Sequence, residues 1–293
     1  MREYAFVTVD VFTDRRFGGN PLAVFPDACG LSDAEMQALA AEFNLSETTF
    51  VLPPADAANT ARVRIFNRTA EMPFAGHPNV GTGWVLAQQG RDRDGLLRFE
   101  EIAGLVEVRT TREGATIAAP QPLTLGPALA AAAVAACVGL DPADVLVAAH
   151  QPVLASVGNS FVIAEVAPDA LVRAVPDLAR FRRTAAGYAA AGEGRLPLYL
   201  YARDAAAPGS LRARMFSPLS GTVEDAATGS AATPLAALLL SLSGDAAAYF
   251  EITQGVEMGR PSLLRASARR AADGIRAGVG GGCVPVLRGV ALV

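Results

Sequence analysis

The sequence predicts an α+β fold built from two similar, duplicated domains. Strand-like alternating runs are interleaved with helical segments along the chain. Two local patterns recur in the same order in the two halves. Between the halves lies a proline-rich stretch, Pro120–Pro127 (PQPLTLGP), that reads as a linker.

The chain opens with the alternating run Ala5–Phe12, a strand, followed by the turn Gly18-Gly19-Asn20-Pro21 and a second strand, Leu22–Phe25. Met36, Leu39, Ala40 and Phe43 fall on one helical face and predict a helix over Asp33–Phe43, with Ser32 and Glu35 as its capping box. Thr48–Leu52 and Ala61–Phe66 read as strands, with Glu47 at the mouth of the first. The Gly/Pro-rich turn Pro73–Asn79 leads into a helix over Val80–Gln89 that stops at Gly90. Past the linker, Ala128–Val138 predicts a helix. Another starts near Gly229, because Pro234 is tolerated only close to a helix start. Val284–Val293 closes the chain as a strand.

The echoes carry the duplication. Gly19-Asn20-Pro21-Leu22-Ala23-Val24 is matched by Gly158-Asn159-Ser160-Phe161-Val162-Ile163, and Arg64-Ile65-Phe66 by Arg214-Met215-Phe216. Each Arg-x-Phe leads, after a polar turn, to a glycine-containing helix start: Ala75-Gly76-His77-Pro78-Asn79 and Ala227-Thr228-Gly229-Ser230-Ala231. The expected domains are 1–121 and 122–283. Matched halves imply a cleft between them, a common place for a small-ligand site.

Composition removes whole function classes. The net charge of −4 without basic clusters gives no reason to expect nucleic acid or anionic lipid as partner. The apolar runs Leu129–Leu140 and Ala231–Leu242 fall short of the ~20 residues a bilayer requires and read as buried helices. The start lacks the order of a signal peptide, so a soluble, cytoplasmic protein is expected. Cys29, Cys137 and Cys283 are too scattered for a disulfide framework. The sequence contains no lysine, which excludes a pyridoxal-phosphate Schiff base and a standard P-loop. Its two histidines, His77 and His150, and its cysteines show no zinc-ligand spacing, and Gly278–Gly282 does not match the dinucleotide fingerprint. No metal and no cofactor is therefore expected, leaving carboxylates, a histidine, hydroxyls and backbone amides to do the chemistry.

Three constellations offer those groups. Glu47, between a helix end and an apolar strand, is placed for desolvation that raises its pKa and suits it to accept and donate a proton; its bland alternative is a solvated helix-end carboxylate. Gly76 and His77 sit where helix-terminal amides attract an anion, although a histidine there can merely pack or cap. Asp225 precedes Thr228-Gly229-Ser230 at another such start, although an ordinary cap explains the same residues. Together they describe a site that holds a small carboxylate and moves a proton.

The segments VDVFTDRRFGGNPLAVF, NLSETTFV, RIFNRTAEMPFAGHPNVGTGWVL, RMFSPLSGTVEDAATGSAA, QGVEMGRPS and VGGGCVPVLRGVAL resemble, in order from Val9 to Leu292, the PhzF-like phenazine-biosynthesis isomerases. The resemblance implies the diaminopimelate-epimerase-like fold, each domain wrapping a barrel-like sheet around a central helix. It also implies a homodimer without cofactor, and it allows 284–293 to cross back and complete the first domain. It maps the catalytic glutamate onto Glu47 in Ser46-Glu47-Thr48, the Gly-His-Pro histidine onto His77, and the aspartate onto Asp225, with Gly229 and Ser230 closing the anion end. Ser46 and Gly76 join them as substrate-binding residues. Ala226 departs from the usual proline, and Asn67-Arg68 from the commoner Thr-Pro. The expected activity is a trans-2,3-dihydro-3-hydroxyanthranilate isomerase-like proton transfer between carbons of a small carboxylate. The alternative is a non-catalytic small-carboxylate binding protein on the same fold.

Overall fold

In the computed structural model, which describes residues 1–204 and 206–293, strands and helices follow the predicted alternation. The first unit runs β1 (Glu3–Val11), β2 (Asn20–Phe25), α1 (Asp33–Phe43), β3 (Glu47–Leu52), β4 (Ala61–Phe66), β5 (Glu71–Met72), α2 (Gly76–Gln88), β6 (Leu96–Glu101), β7 (Gly104–Thr110) and β8 (Gly114–Ala118). The second begins with β9 (Thr124–Ala128), α3 (Ala131–Cys137), β10 (Val145–Leu146), β11 (Val153–Ser156), β12 (Ser160–Val166), α4 (Pro168–Arg173) and α5 (Leu178–Ala186). It continues through β13 (Leu198–Arg203), β14 (Ser210–Ser217), β15 (Thr222–Asp225), α6 (Gly229–Ser241), β16 (Ala247–Gln254) and β17 (Ser262–Ala271) to the long β18 (Gly274–Leu292). Met1–Ala118 with Gly280–Val293 form one compact unit, and Ala119–Val279 the other. No helix among the described residues is long and apolar enough to cross a membrane.

The first unit is a closed eight-stranded barrel. β18 pairs with β1, β1 with β2, β2 with β3, β3 with β4, β4 with β6, β6 with β7 and β7 with β8, and β8 returns to β18. The β2–β3 and β4–β6 pairs are parallel. Helix α2 runs inside: it meets β1, β2, β3, β7 and β8, and every residue from Gly76 to Gly83 is buried. A helix sheathed on all sides needs small residues where the wall comes close. A Cβ at Gly81 would meet Leu22 Cδ2 at 2.6 Å and Val11 Cγ2 at 2.8 Å, and one at Gly83 would meet Val108 Cγ1 at 2.5 Å. Helix α1 lies outside, against a cluster of phenylalanines in which Phe25 stacks on Phe50 at 4.9 Å and Phe50 meets Phe66 edge-on at 5.5 Å. Its capping box forms as predicted: Glu35 N donates to Ser32 Oγ, and Ser32 N donates to Glu35 Oε2.

In the second unit the pairs run β9–β11, β11–β12, β12–β13, β13–β14, β14–β16 and β16–β17, with β12–β13 and β14–β16 parallel. Helix α6 packs against β11, β12, β16 and β17 and is buried on nearly every face. Pro234 stands inside it, where it has no N–H for Ser230 O. Thr233 supplies the substitute: its hydroxyl donates to Gly229 O at 3.2 Å and Ser230 O at 3.4 Å.

The Arg-x-Phe echo has a physical basis in each unit. Arg64 on β4 forms a bidentate bond to Glu71 on β5 and lies over Phe66, two residues along the same face, at 5.0 Å. Arg214 on β14 bonds Glu224 on β15 in the same way and lies over Phe216 at 4.9 Å. In both cases the triplet anchors a short strand leading toward a helix start.

Four boundaries differ most from expectation, the first being β18, which starts at Gly274 instead of Val284. Helix α2 starts at Gly76 instead of Val80, because Pro78 falls in the first turn, where its missing N–H has no intrahelical partner to lose. Part of the proline-rich linker is strand β9. Pro127 sits where the β9–β11 register slips, a position that requires no donor from it. Helix α3 is shorter than Ala128–Val138, since Ala128 still pairs with Val153 and Leu129 N donates to Pro152 O at 2.8 Å.

Candidate active site

The parallel pairing of β2 with β3 sets Leu22 beside Glu47, so the strand starts at Asn20 and Glu47 lie at the same end of the barrel. Helix α2 brings its first turn to that end. Thr49 and Thr82 share a buried 2.8 Å hydrogen bond that ties β3 to α2. Four side chains then fall in sequence. Ser46 Oγ donates to Asn20 Oδ1 at 3.3 Å, Asn20 Nδ2 meets His77 Nδ1 at 3.4 Å, and His77 Nε2 stands 3.6 Å from Glu47 Oε2.

This order fixes the histidine. Asn20 uses its carbonyl oxygen for Ser46 and so presents its amide N–H to His77. Nδ1 is thereby the acceptor, and the ring proton of neutral His77 resides on Nε2, toward Glu47. At 3.6 Å the pair is just beyond hydrogen-bond range, as acid–base groups commonly are before substrate closes them. Glu47 is 18 % exposed at the side chain and His77 7 %. Burial pushes the Glu47 carboxyl above its usual range, outweighing the Ser46 hydroxyl and the Arg68 charge, both of which favour the ionised form. Arg68 is one of the two departures noted above, and here it places a cation within electrostatic reach of Glu47.

Gly76, the first residue of α2, is buried, and Ala75 at the N-cap has no side chain able to cap the helix. In the second unit, Thr228 is the N-cap of α6, but its hydroxyl is turned away, donating to Asp225 Oδ2 at 2.7 Å. Gln254, fully buried, organises this turn: its Nε2 donates to Asp225 O and Thr228 Oγ1, and its Oε1 accepts from Thr228 N and Tyr199 OH. Ser262 Oγ donates to Ala226 O at 2.9 Å. The turn with alanine in place of proline is thus held by bonds from β16 and β17.

Of the residues singled out in the sequence, Ser46, Glu47, Gly76 and His77 gather in the first unit, and Asp225, Gly229 and Ser230 share one turn and helix start in the second. Sequence reasoning misses Asn20, Tyr199 and Gln254, and it reads Thr228 only as part of the helix start. Asn20 and Gln254 lie within the quoted GGNP and QGVEMGRPS segments, which was the available signal.

The family model for phenazine biosynthesis-like proteins, PhzC-PhzF, matches residues 9–289. The chain belongs to this family. It is 36 % identical over 286 residues to the trans-2,3-dihydro-3-hydroxyanthranilate isomerase of Pseudomonas aeruginosa, covering 94 % of each chain. It is 38 % identical over 280 residues to an uncharacterised isomerase of Mesorhizobium japonicum, covering 90 % of each. The crystal structure of a PhzF-family protein from Bacillus anthracis superposes with a TM-score of 0.88 over the whole of both chains at 23 % identity, which speaks for the fold. The protein is a PhzF-like isomerase.

Proposed function

We propose that this isomerase moves a proton between two carbons of a small cyclic carboxylate of the trans-2,3-dihydro-3-hydroxyanthranilate type, without metal or organic cofactor. Glu47 as carboxylate takes the proton from one carbon, and as carboxylic acid returns it to another. No electrons leave the substrate, and the double bonds shift with the proton. His77 and Asp225 hold the substrate's polar substituents. Ser46 and the backbone amides at Gly76, Gly229 and Ser230 bind its carboxylate. Proton transfer by a positioned side chain is worth about 10²–10⁴-fold, with positioning adding to it. The observation that carries the reading is a buried carboxyl of raised pKa facing a histidine whose tautomer Asn20 sets.

The reading extends to a cytoplasmic homodimer with two structurally duplicated domains. The parallel-pair pattern and the paired Arg–Glu–Phe anchors support duplication; superposing Met1–Ala118 on Ala119–Val279 tests it, and failure of the two central helices to coincide refutes it. Incubation of chelator-dialysed protein with trans-2,3-dihydro-3-hydroxyanthranilate tests the activity. Conversion is expected. Binding without conversion supports the non-catalytic alternative.

A further inference from the structure

The turn before α6 holds a chain of side chains whose protons are ordered by two backbone groups. The Thr228 N–H can only donate and the Asp225 carbonyl can only accept, and Gln254 meets both. Its Oε1 therefore faces Thr228 N, at 3.2 Å, and its Nε2 faces Asp225 O, at 2.8 Å. The remaining bonds follow. Tyr199 OH donates to Oε1 at 3.1 Å, and Nε2 donates its second N–H to Thr228 Oγ1 at 3.0 Å. Burial, with the charge of Asp225 adding to it, holds the Tyr199 phenol in its protonated, donating form. Thr228 Oγ1 thus receives one proton and gives its own to Asp225 Oδ2, at 2.7 Å. That length is typical of a hydroxyl donating to a carboxylate. Tyr199 and Gln254 are fully buried and Thr228 is 7 % exposed, so bulk solvent offers the hydroxyl no rival partner. A threonine at an N-cap ordinarily turns its hydroxyl to the first amides of its helix, yet no side chain caps α6.

We propose that Thr228 is a positioning residue: aimed by Gln254 and Tyr199, its hydroxyl orients Asp225 as a hydrogen-bond acceptor for the substrate instead of capping α6. Two consequences meet at this turn. Asp225 commits one oxygen to Thr228, which fixes the plane of its carboxyl group, and the donated proton favours the charged form. The amides at the start of α6, Gly229 and Ser230 among them, are left without a side-chain competitor for an anion. The charged side chains on the neighbouring β14 are engaged elsewhere, Arg212 with Glu257 and Arg214 with Glu224. The inference rests on the isomerase reading for its function, since there Asp225 holds a polar substituent and the α6 amides the carboxylate. It adds the residue that lets one short turn do both.

The first arm of the test needs no substrate. Aspartate carboxyl carbons are followed by NMR against pH, with Asp225→Asn assigning the Asp225 signal. Thr228→Val keeps the branched shape and removes the donor, so the Asp225 midpoint is expected to rise by about one pH unit. Thr228→Ser keeps the hydroxyl and is expected to restore it. An unchanged midpoint in Thr228→Val overturns the proposal, and so does a Thr228→Ser variant that behaves like Thr228→Val. Should Thr228→Val fail to fold, Thr228→Ala carries the same expectations without added bulk. The second arm measures kcat/KM on trans-2,3-dihydro-3-hydroxyanthranilate. Thr228→Val is expected to lower it about tenfold, chiefly through KM. In an Asp225→Asn background the same change is expected to cost nothing more, because the hydroxyl acts through that carboxylate. Losses that multiply in the double variant overturn the proposal. A wild type that does not convert this substrate defeats the isomerase reading alone, since the NMR arm still decides the role of Thr228.

Discussion

Replacing Gly81 by alanine sets two known effects against each other. In an open helix the change is favourable by about 1 kcal/mol, because glycine has the greater backbone freedom to lose. Inside the barrel the added methyl would sit 2.6 Å from Leu22 Cδ2 and 2.8 Å from Val11 Cγ2. Both partners are fully buried and have nowhere to retreat. Overpacking of this kind costs about 1–3 kcal/mol, and two contacts this short put it at the upper end. The expected net loss is about 2 kcal/mol, or roughly 5 °C in melting temperature for a domain of this size. Thermal unfolding followed by tryptophan fluorescence reports it directly, since Trp84, the sole tryptophan, lies on α2 itself. Gly244→Ala is the control: a Cβ there meets nothing within 4 Å, and no loss is expected. A Gly81→Ala variant as stable as the wild type would refute the account of α2 as a helix sheathed by the barrel.

Further outcomes follow from the same contacts. Thr233→Val removes the hydroxyl that stands in for the missing N–H of Pro234; denaturant unfolding is expected to show a loss of about 1–3 kcal/mol, largely recovered by adding Pro234→Ala. Gln254→Leu leaves several buried groups around Asp225 unpaired and should cost about 3 kcal/mol or more in stability. Turnover measured on the same variant should fall. For Glu47, the folded state holds its proton more tightly than the unfolded chain. Its contribution to stability is therefore greatest at acid pH and is lost as pH rises from the ordinary value of 4.5 through its own raised value. Unfolding measured against pH should show Glu47→Gln gaining on the wild type across that window, and no gain below it. Arg68→Gln removes a charge that favours the ionised form, so the Glu47 carboxyl carbon should titrate higher still.

What was legible in the sequence is what local chemistry encodes. The capping box Ser32/Glu35 and the apolar spacing behind it marked α1 to the residue, and Ala61–Phe66 was read correctly from its alternation. Glu47 and His77 were visible because they sit in short, distinctive segments. The sequence places the start of α2 four residues late because Pro73–Asn79 reads as a Gly/Pro-rich turn, yet Pro78 fits a first turn and gives up no bond there. Strand β9 was hidden because Pro127 occupies a register slip that only the partner strand creates. Asn20 escaped assignment because its tie to His77 joins residues far apart in sequence and depends on β2 and β3 pairing in parallel.

The central claim is that Glu47 carries the proton. It is tested by incubating wild type and Glu47→Gln with trans-2,3-dihydro-3-hydroxyanthranilate in D₂O, following deuterium uptake into substrate and product by mass spectrometry and binding by calorimetry. Glutamine keeps the shape of the side chain but cannot accept a proton. The account predicts binding retained within a few-fold and deuterium uptake with turnover lost by about 10²-fold or more. A variant that keeps a tenth of wild-type turnover, a barrier change of only about 1.4 kcal/mol, would contradict it and pass the role to Asp225.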